Sequence, residues 1–133
     1  MATKQIICDT DVMIDYLDRV NIRHTTTKTV LEEIIGLDNI FISAITKMEL
    51  IRGAINKIEL VKINKHIDRF NVIPIDHSIT RKAISLIQAY ALSHKLTIPD
   101  GLIAATTLTS DLALFTYNTK DYKFIPDLKL FKH

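Results

Sequence analysis

Several residue types are scarce in this chain of 133 residues, and each scarcity excludes a class of protein. Cys8 is the only cysteine, so an internal disulfide and a cysteine-rich zinc site are both excluded. Such cysteine usage fits a reducing compartment, and we predict a cytoplasmic protein. Lys4 and Asp9 interrupt the N-terminal apolar run, and no run reaches the roughly 18–20 residues of a membrane span. A membrane partner is therefore not expected.

Glycine and proline are also rare, with three of each. Long flexible linkers are therefore not expected, and residues 1–133 are predicted to form a single domain. The hydrophobic fraction of 47% is ordinary for a globular protein with a sizeable core. The formal net charge of +2, from 17 Lys and Arg against 15 Asp and Glu, is too small to indicate nucleic-acid binding by itself.

Short apolar runs alternate with segments of helical periodicity along the chain. The apolar runs predict strands at 4–8, 40–42, 72–75, 112–116 and 128–131. The periodic segments predict helices at 11–19, 25–35, 46–54, 58–70, 78–93 and 99–108. This order predicts an α/β domain with a mostly parallel central sheet of about five strands and helices on both faces, an α/β/α sandwich of three layers. Pro74 places the third strand at an edge of the sheet.

Four acidic residues stand where an apolar run meets a helical or turn segment: Asp9, Glu49, Asp100 and Asp121. The carboxyl ends of parallel strands meet at one edge of a sheet, so these side chains can all face the same crevice. A pocket with only oxygen ligands and a strong negative charge suits hard divalent cations such as Mg²⁺ or Mn²⁺. Divalent cations in turn serve phosphodiester chemistry.

Each of these acids also has an ordinary structural explanation. Asp9 is a candidate N-cap for the helix that follows it. Thr46 and Glu49 fit a capping box at the start of the third helix. Asp100 lies in a first helical turn, where a negative charge is stabilised by about 0.3–1 kcal/mol. Asp121 lies in a polar turn, where Asp is common. These explanations leave the combination of the four local contexts unaccounted for.

That combination resembles the signatures of PIN-domain ribonucleases. "CDTDVMID" resembles the first signature, and "ISAITKMELIRG" resembles the second, which has the form S-x-x-T-x-x-E-L-x-x-G. "IPDGLIAATTL" is similar to the third, and "LFTYNTKDYKFIPDLKL" to the C-terminal signature T-x-N-x-x-D-F with its final short strand. The resemblance covers nearly the whole chain in the right order. The length matches the VapC-type toxins of VapBC toxin–antitoxin modules.

The resemblance implies a metal-dependent endoribonuclease that hydrolyses RNA with a metal-activated water and leaves 5′-phosphate and 3′-hydroxyl ends. Asp9, Glu49 and Asp100 would hold Mg²⁺ or Mn²⁺, and Asp121 would be the fourth catalytic and metal-binding acid. The expected partners are an RNA substrate, a small antitoxin protein and a second copy of the chain.

The same motifs supply residues for supporting roles. The accessory candidates are Thr10, Asp11, Thr116 and Asn118. The candidates for contacts with the RNA backbone are Lys47, Arg52, Lys57 and Lys120, although ordinary solvated charge is the better explanation for any single one of them.

Three positions depart from the family's usual pattern. Asp11 stands where Asn or Ser is more common, which adds negative charge. Gly101 replaces a helix former, at a helix-propensity cost of up to about 1 kcal/mol. Tyr122 replaces the usual Phe. None of these departures removes one of the four acids.

Two other functions fit parts of the sequence. A haloacid-dehalogenase-like phosphatase would use Asp9 as nucleophile and Asp11 as acid, but the chain is short for that fold and offers only one late acid in a matching context. A non-catalytic domain that binds RNA or protein is the second alternative. Apolar residues at 34–35 and 51–63 are consistent with an interface, and burial in the core explains them too.

Overall fold

Single strands alternate with pairs of helices throughout the computed structural model, which describes residues 4–133. The strands are β1 (Ile6–Cys8), β2 (Ile40–Ser43), β3 (Asn71–Ile73) and β4 (Ala113–Phe115). The helices are α1 (Thr10–Leu17), α2 (His24–Thr29), α3 (Ala44–Arg52), α4 (Lys57–Ile67), α5 (His77–His94) and α6 (Ile98–Ser110). A π-helical turn (Val30–Ile35) extends α2, and short 3₁₀ turns cover Leu37–Asn39 and Thr119–Asp121. The predicted order of strands and helices is confirmed from β1 to β4.

The four strands form one sheet in the order β3-β2-β1-β4, and all three pairings are parallel. Two helices carry the chain from each strand to the next. β1 lies between β2 and β4, so its carboxyl end is flanked by the carboxyl ends of both neighbours. The predicted α/β fold is confirmed, and β3 lies at an edge of the sheet as predicted. The strand ends directly before Pro74, whereas the prediction continued it to residue 75.

The sheet has four strands where about five were predicted. Residues 128–131 do not form a strand, because only Leu130 pairs, as one isolated parallel bridge to Leu114. Two backbone hydrogen bonds of 2.8 Å accompany that bridge, from Leu114 to Lys129 and from Phe131 to Leu114. Asp127 has a left-handed backbone (φ 65°) just before this segment.

The side chains of β1 divide the core into two layers, because successive strand residues point to opposite faces. Ile6 and Cys8 pack into a cluster with residues of α1 and the π-helical turn, such as Val12 and Leu31. Ile7 packs into the other cluster with residues of α5 and α6, such as Leu86 and Ile103. The predicted arrangement of helices on both faces of the sheet follows.

The capping box predicted for the third helix is wrong. Ser43, the last residue of β2, caps α3 instead, and its hydroxyl accepts a hydrogen bond from the Ile45 amide at 3.2 Å. The helix therefore begins at Ala44, and Thr46 lies inside it and is fully buried. Glu49 lies in the second turn rather than the first, and its carboxylate has no role in the cap.

The apolar residues of 34–35 and 51–63 divide between the core and the surface. Ile35 is buried, and Ile51 and Ile63 pack against the core. Ile58 and Val61 of α4 are 71% and 67% exposed. No helix in the described part of the chain is both long and apolar enough to cross a membrane.

Gly101 is buried where α6 packs against α5, which accounts for a glycine inside a helix. A Cβ at this position would lie 3.0 Å from Cγ1 and 3.1 Å from Cδ1 of Ile87. We expect Gly101→Ala to lower the free energy of unfolding by about 1 kcal/mol, measured by urea denaturation. Overpacking costs about 1–3 kcal/mol, whereas the gain in helix propensity is only about 1 kcal/mol.

Gly53→Ala is the matched control, because Gly53 is exposed and its Cβ would meet no atom closer than 3.5 Å. That variant is expected to raise the free energy of unfolding by about 0.4–1 kcal/mol through the entropy of the unfolded chain. An equal gain for Gly101→Ala would show that Ile87 moves aside at no cost and would contradict the packing explanation.

Candidate functional site

Asp9 is the centre of the candidate site and comes directly after β1. It is 5% exposed, and its amide donates a 2.9 Å hydrogen bond to the Phe115 carbonyl of β4. Asp9 caps α1, because Oδ1 accepts from the Thr10 amide at 2.8 Å. Oδ2 accepts from the Thr116 hydroxyl at 2.8 Å, so both carboxylate oxygens are held by polar donors. The capping explanation for Asp9 is therefore confirmed.

Asp11 and the loop after β4 form a second set of contacts. Oδ1 of Asp11 accepts a hydrogen bond from the Val12 amide at 2.8 Å, and Oδ2 accepts one from the Tyr117 amide at 3.0 Å. The Asn118 amide donates to the Thr116 hydroxyl at 3.0 Å. Asn118 thus supports the loop through its backbone, and its side chain is exposed.

Glu49 reaches the site from α3. The Thr10 hydroxyl donates to Glu49 Oε1 at 2.7 Å, and the hydroxyl of Thr46 lies 3.0 Å from that of Thr10. Thr10 therefore orients two carboxylates, Asp9 through its amide and Glu49 through its hydroxyl. The sequence supplied Thr10 as an accessory candidate, whereas it gave Thr46 only the role of a helix cap.

Asp100 lies in the first turn of α6, as predicted, with Thr97 as the N-cap. Its Oδ1 accepts from the Tyr122 hydroxyl at 3.0 Å. Burial, together with the nearby charges of Asp9 and Asp100, raises the pKa of Tyr122 far above its usual range. The phenol is therefore a permanent hydrogen-bond donor at the site, a role that its sequence position, where Phe is usual, did not reveal.

Asp121 lies at the rim of the site in a 3₁₀ turn and is half-buried. No side-chain hydrogen bond joins it to the other acids within residues 4–133. Its negative charge acts on Asp100, whose pKa it helps to raise. Burial first, and then nearby charges that include Asp100, raise the pKa of Asp9. Asp100 also senses the charges of Asp121 and Glu49 through space.

Burial and mutual repulsion raise the pKa values of two site acids, Asp9 and Asp100. Burial, followed by the charge of Asp11, raises the pKa of Asp9 to about 7, although hydrogen bonds from Thr116 and Thr10 oppose the rise. The pKa of Asp100 is also raised, by burial first and then by Asp121 and Glu49. The ion pairs found in the described part of the chain are Arg23–Asp15, Arg69–Asp38 and Lys129–Asp111. None of them includes a site acid, so the site acids have no direct ion-pair partner among residues 4–133.

The donor chemistry of the site fits a hard divalent cation. All of its candidate ligands are carboxylate oxygens, and hydroxyl donors orient Asp9, Glu49 and Asp100 while leaving further lone pairs available. A cation would also relieve the repulsion that raises the pKa values. As they stand, no three His, Cys, Asp or Glu side chains of residues 4–133 are arranged to hold a metal ion together.

Asp15 and Arg23 border the site, and the sequence did not identify either of them as a site residue. Asp15 is buried and forms a 2.7 Å ion pair with Nε of Arg23. The Arg23 guanidinium lies 4.2 Å from the centroid of the Tyr117 ring, and its charge lowers the pKa of Asp11, which burial raises. Among the basic candidates, Lys47 is half-buried on α3, while Arg52, Lys57 and Lys120 are exposed. None of the three ion pairs involves them.

Comparisons with known proteins identify the family and the fold. The family model for the PIN domain matches residues 6–125. A toxin–antitoxin complex from Klebsiella pneumoniae contains a chain that is 31% identical, with a TM-score of 0.75 over 93% of this chain and 95% of that one. FitAcB from Neisseria gonorrhoeae is 25% identical, with a TM-score of 0.71 over 96% of this chain and 97% of that one. VapBC-1 from nontypeable Haemophilus influenzae, at 23% identity and a TM-score of 0.72 over 96% of each chain, shares the fold. The comparison with curated proteins found no match.

The raised pKa of Asp9 gives the metal-free protein a specific pH dependence. A carboxyl whose pKa is about 7 in the folded state and about 3.9 when unfolded binds its proton more tightly when folded. It therefore makes the protein less stable as pH rises from about 4 to about 7. We expect Asp9→Asn to raise the free energy of unfolding at pH 8 in EDTA by about 1–3 kcal/mol, with the gain vanishing near pH 4.

Urea denaturation at a series of pH values measures this effect. Asp68→Asn, at an exposed position that ends α4, changes the net charge equally and is the control for charge alone. A gain for Asp9→Asn that is the same at pH 4 and pH 8 would contradict a buried, proton-binding carboxyl.

Proposed function

Since the chain belongs to the PIN-domain family of hydrolytic nucleases, we propose that it is a Mg²⁺- or Mn²⁺-dependent endoribonuclease and a VapC-type toxin. The observation that carries the proposal is the cluster of Asp9, Glu49 and Asp100 at the carboxyl edge of the sheet. Each of these carboxylates is oriented by a hydroxyl group, and none is paired with a cation in the described ion pairs. Residues 1–133 are proposed to act as one nuclease domain in the cytoplasm.

The proposed roles follow from the contacts of each side chain. Asp9, Glu49 and Asp100 would hold the metal ion, and Asp121 would complete the acidic cluster from the rim. A bound Mg²⁺ or Mn²⁺ would supply a Lewis acid that makes water more acidic and offsets the charge that develops at phosphorus. Thr116 and Thr10 fix the orientation of Asp9, and Thr10 also fixes Glu49. Tyr122 does the same for Asp100.

Partner proteins are also part of the proposal. The similar Klebsiella pneumoniae chain comes from a toxin–antitoxin complex, which supports a small antitoxin as partner. Ile58 and Val61 form an exposed apolar patch on α4 flanked by Lys57 and Lys62, and such surfaces mark protein contacts. We propose that apolar surfaces of this kind serve antitoxin binding and a homodimer. A single monomer peak at every concentration in sedimentation velocity would contradict the homodimer.

Family membership favours the nuclease over the phosphatase alternative. In the phosphatase reading Asp11 would act as a free acid, whereas here both of its oxygens accept backbone hydrogen bonds. A binding domain without activity stays open as an outcome of the cleavage experiment.

We expect the purified protein to cut a labelled RNA mixture in Mg²⁺ or Mn²⁺, and EDTA to stop the cutting. Asp100→Asn should reduce the rate by about 100-fold or more, because it removes a charge that stabilises the reacting centre. It should also weaken Mn²⁺ binding by about 10-fold or more, measured by electron paramagnetic resonance without RNA. Glu33→Gln, at an exposed position, is the control and should cut as the wild type does.

Three other outcomes would change the interpretation. Cutting that persists in Asp100→Asn would indicate a contaminating nuclease and contradict the site. Cutting that persists in EDTA would contradict metal dependence. RNA binding without any cutting by the folded, antitoxin-free wild type would favour the non-catalytic domain.

A further inference from the structure

An open groove of about 310 Å³ lies beside the candidate site, on the other side of the loop that follows β4. Its lining consists of Thr116, Tyr117, Thr119, Phe131, Lys132 and His133. This volume is at the lower end of the roughly 300–1,000 Å³ of small-molecule sites.

The loop joins the groove directly to the acidic cluster. Thr116 lines the groove and donates its hydroxyl to Asp9 at 2.8 Å. Tyr117 lines the groove with its side chain, while its amide donates to Asp11 at 3.0 Å. A ligand bound at the acidic cluster can therefore extend into the groove, because Thr116 and Tyr117 border both.

Aromatic rings form one part of the groove. The rings of Phe131 and His133 are nearly parallel, at 15° and 6.4 Å between centroids. The buried ring of Phe115 supports them from the core, with centroids 5.2 Å from each and 5.2 Å from Tyr117. Aromatic faces beside a nuclease site are suited to stacking the bases of single-stranded nucleic acid, whatever their sequence.

Two cations stand next to these rings. Nε of Arg23 is held at 2.7 Å by the buried Asp15, and the guanidinium lies over the Tyr117 ring at 4.2 Å. Its terminal nitrogens make no further ion pair or side-chain hydrogen bond within residues 4–133. Lys132 is exposed and is absent from the ion pairs of the same part of the chain. A guanidinium fixed through Nε presents its remaining donors to a phosphate without a large loss of side-chain entropy.

We propose that this groove is a subsite for one nucleotide of single-stranded RNA, next to the phosphodiester that is cut. Phe131 and its neighbouring rings stack the base, and Arg23 and Lys132 bind the adjoining phosphate. The proposal rests on the ribonuclease activity proposed above and adds the residues that bind the substrate beside the cut bond. The two flanking cations favour a polyanion over a side chain of a protein partner.

Fluorescence anisotropy with a labelled single-stranded RNA of about eight nucleotides, in EDTA to prevent cutting, tests the stacking. Phe131→Leu keeps an apolar side chain and is expected to weaken binding about 10-fold, whereas Phe131→Tyr keeps the ring and should bind as the wild type does. Phe124→Leu is the matched control, because Phe124 is a half-buried ring packed on Tyr90 and His94.

An oligomer of the same length without bases separates stacking from phosphate binding. The wild type should bind it more weakly than RNA, and Phe131→Leu should cause no further loss. Arg23→Ala is expected to reduce the slope of log Kd against log salt concentration by about 0.7, the contribution of one phosphate contact in a single strand. Arg81→Ala, which removes an exposed arginine of α5, should leave the slope unchanged.

Equal RNA affinity of the wild type and Phe131→Leu, with an unchanged salt slope in Arg23→Ala, would overturn the proposal and leave a protein side chain as the occupant of the groove. In that case metal-dependent cutting by the wild type would still support the ribonuclease. A wild-type protein that neither binds nor cuts RNA would contradict both the ribonuclease and the nucleotide subsite.

Discussion

The parallel pairing of β1 with β4 is the constraint on which the candidate site depends. It brings Asp9 next to residues that follow it by more than a hundred positions in the chain. The Asp9 amide bonds to the Phe115 carbonyl, and the Thr116 hydroxyl then meets the Asp9 carboxylate as the next residue of the same ladder. Because β1 is also paired with β2, the helix that leaves β2 carries Glu49 to the same edge. A change that shifted this register by one residue would turn Asp9 into the core.

The site acids sit at this edge at a cost in stability. Neutral hydroxyl donors such as Thr116 and Tyr122 contribute roughly 0.5–1.5 kcal/mol each, or somewhat more when the acceptor is charged. Burial of a carboxylate without a countercharge costs more than that, which the raised pKa values of Asp9 and Asp100 express. The metal-free site is therefore stabilised by binding either protons or a cation. Proteins commonly accept such local instability where function needs it.

The order of strands and helices was predictable because hydrophobic periodicity is a local property of the sequence. The start of α3 was not, since two hydroxyl residues three positions apart both suit a cap. Ser43 takes that role because β2 ends there, a fact of the sheet rather than of the motif. The acids that meet could be named from their positions after strands. The hydroxyls that hold them could be named only in part, because the bond from Thr10 to Glu49 spans 39 positions and the bond from Tyr122 to Asp100 spans 22. Tertiary contacts of this kind leave no periodic trace.

The extra acid at position 11 is explained by its surroundings rather than by the metal. Both Asp11 oxygens accept backbone amides, one from its own helix and one from Tyr117, so the carboxylate ties α1 to the loop after β4. Burial raises the pKa of Asp11, and these hydrogen bonds oppose the rise, as does the charge of Arg23, which lies over the ring of that same Tyr117. Asp15 pairs with this cation, and its own negative charge raises the pKa of Asp11 in turn. Arg23 therefore links α1, through Asp15, to the same loop that Asp11 holds through the Tyr117 amide.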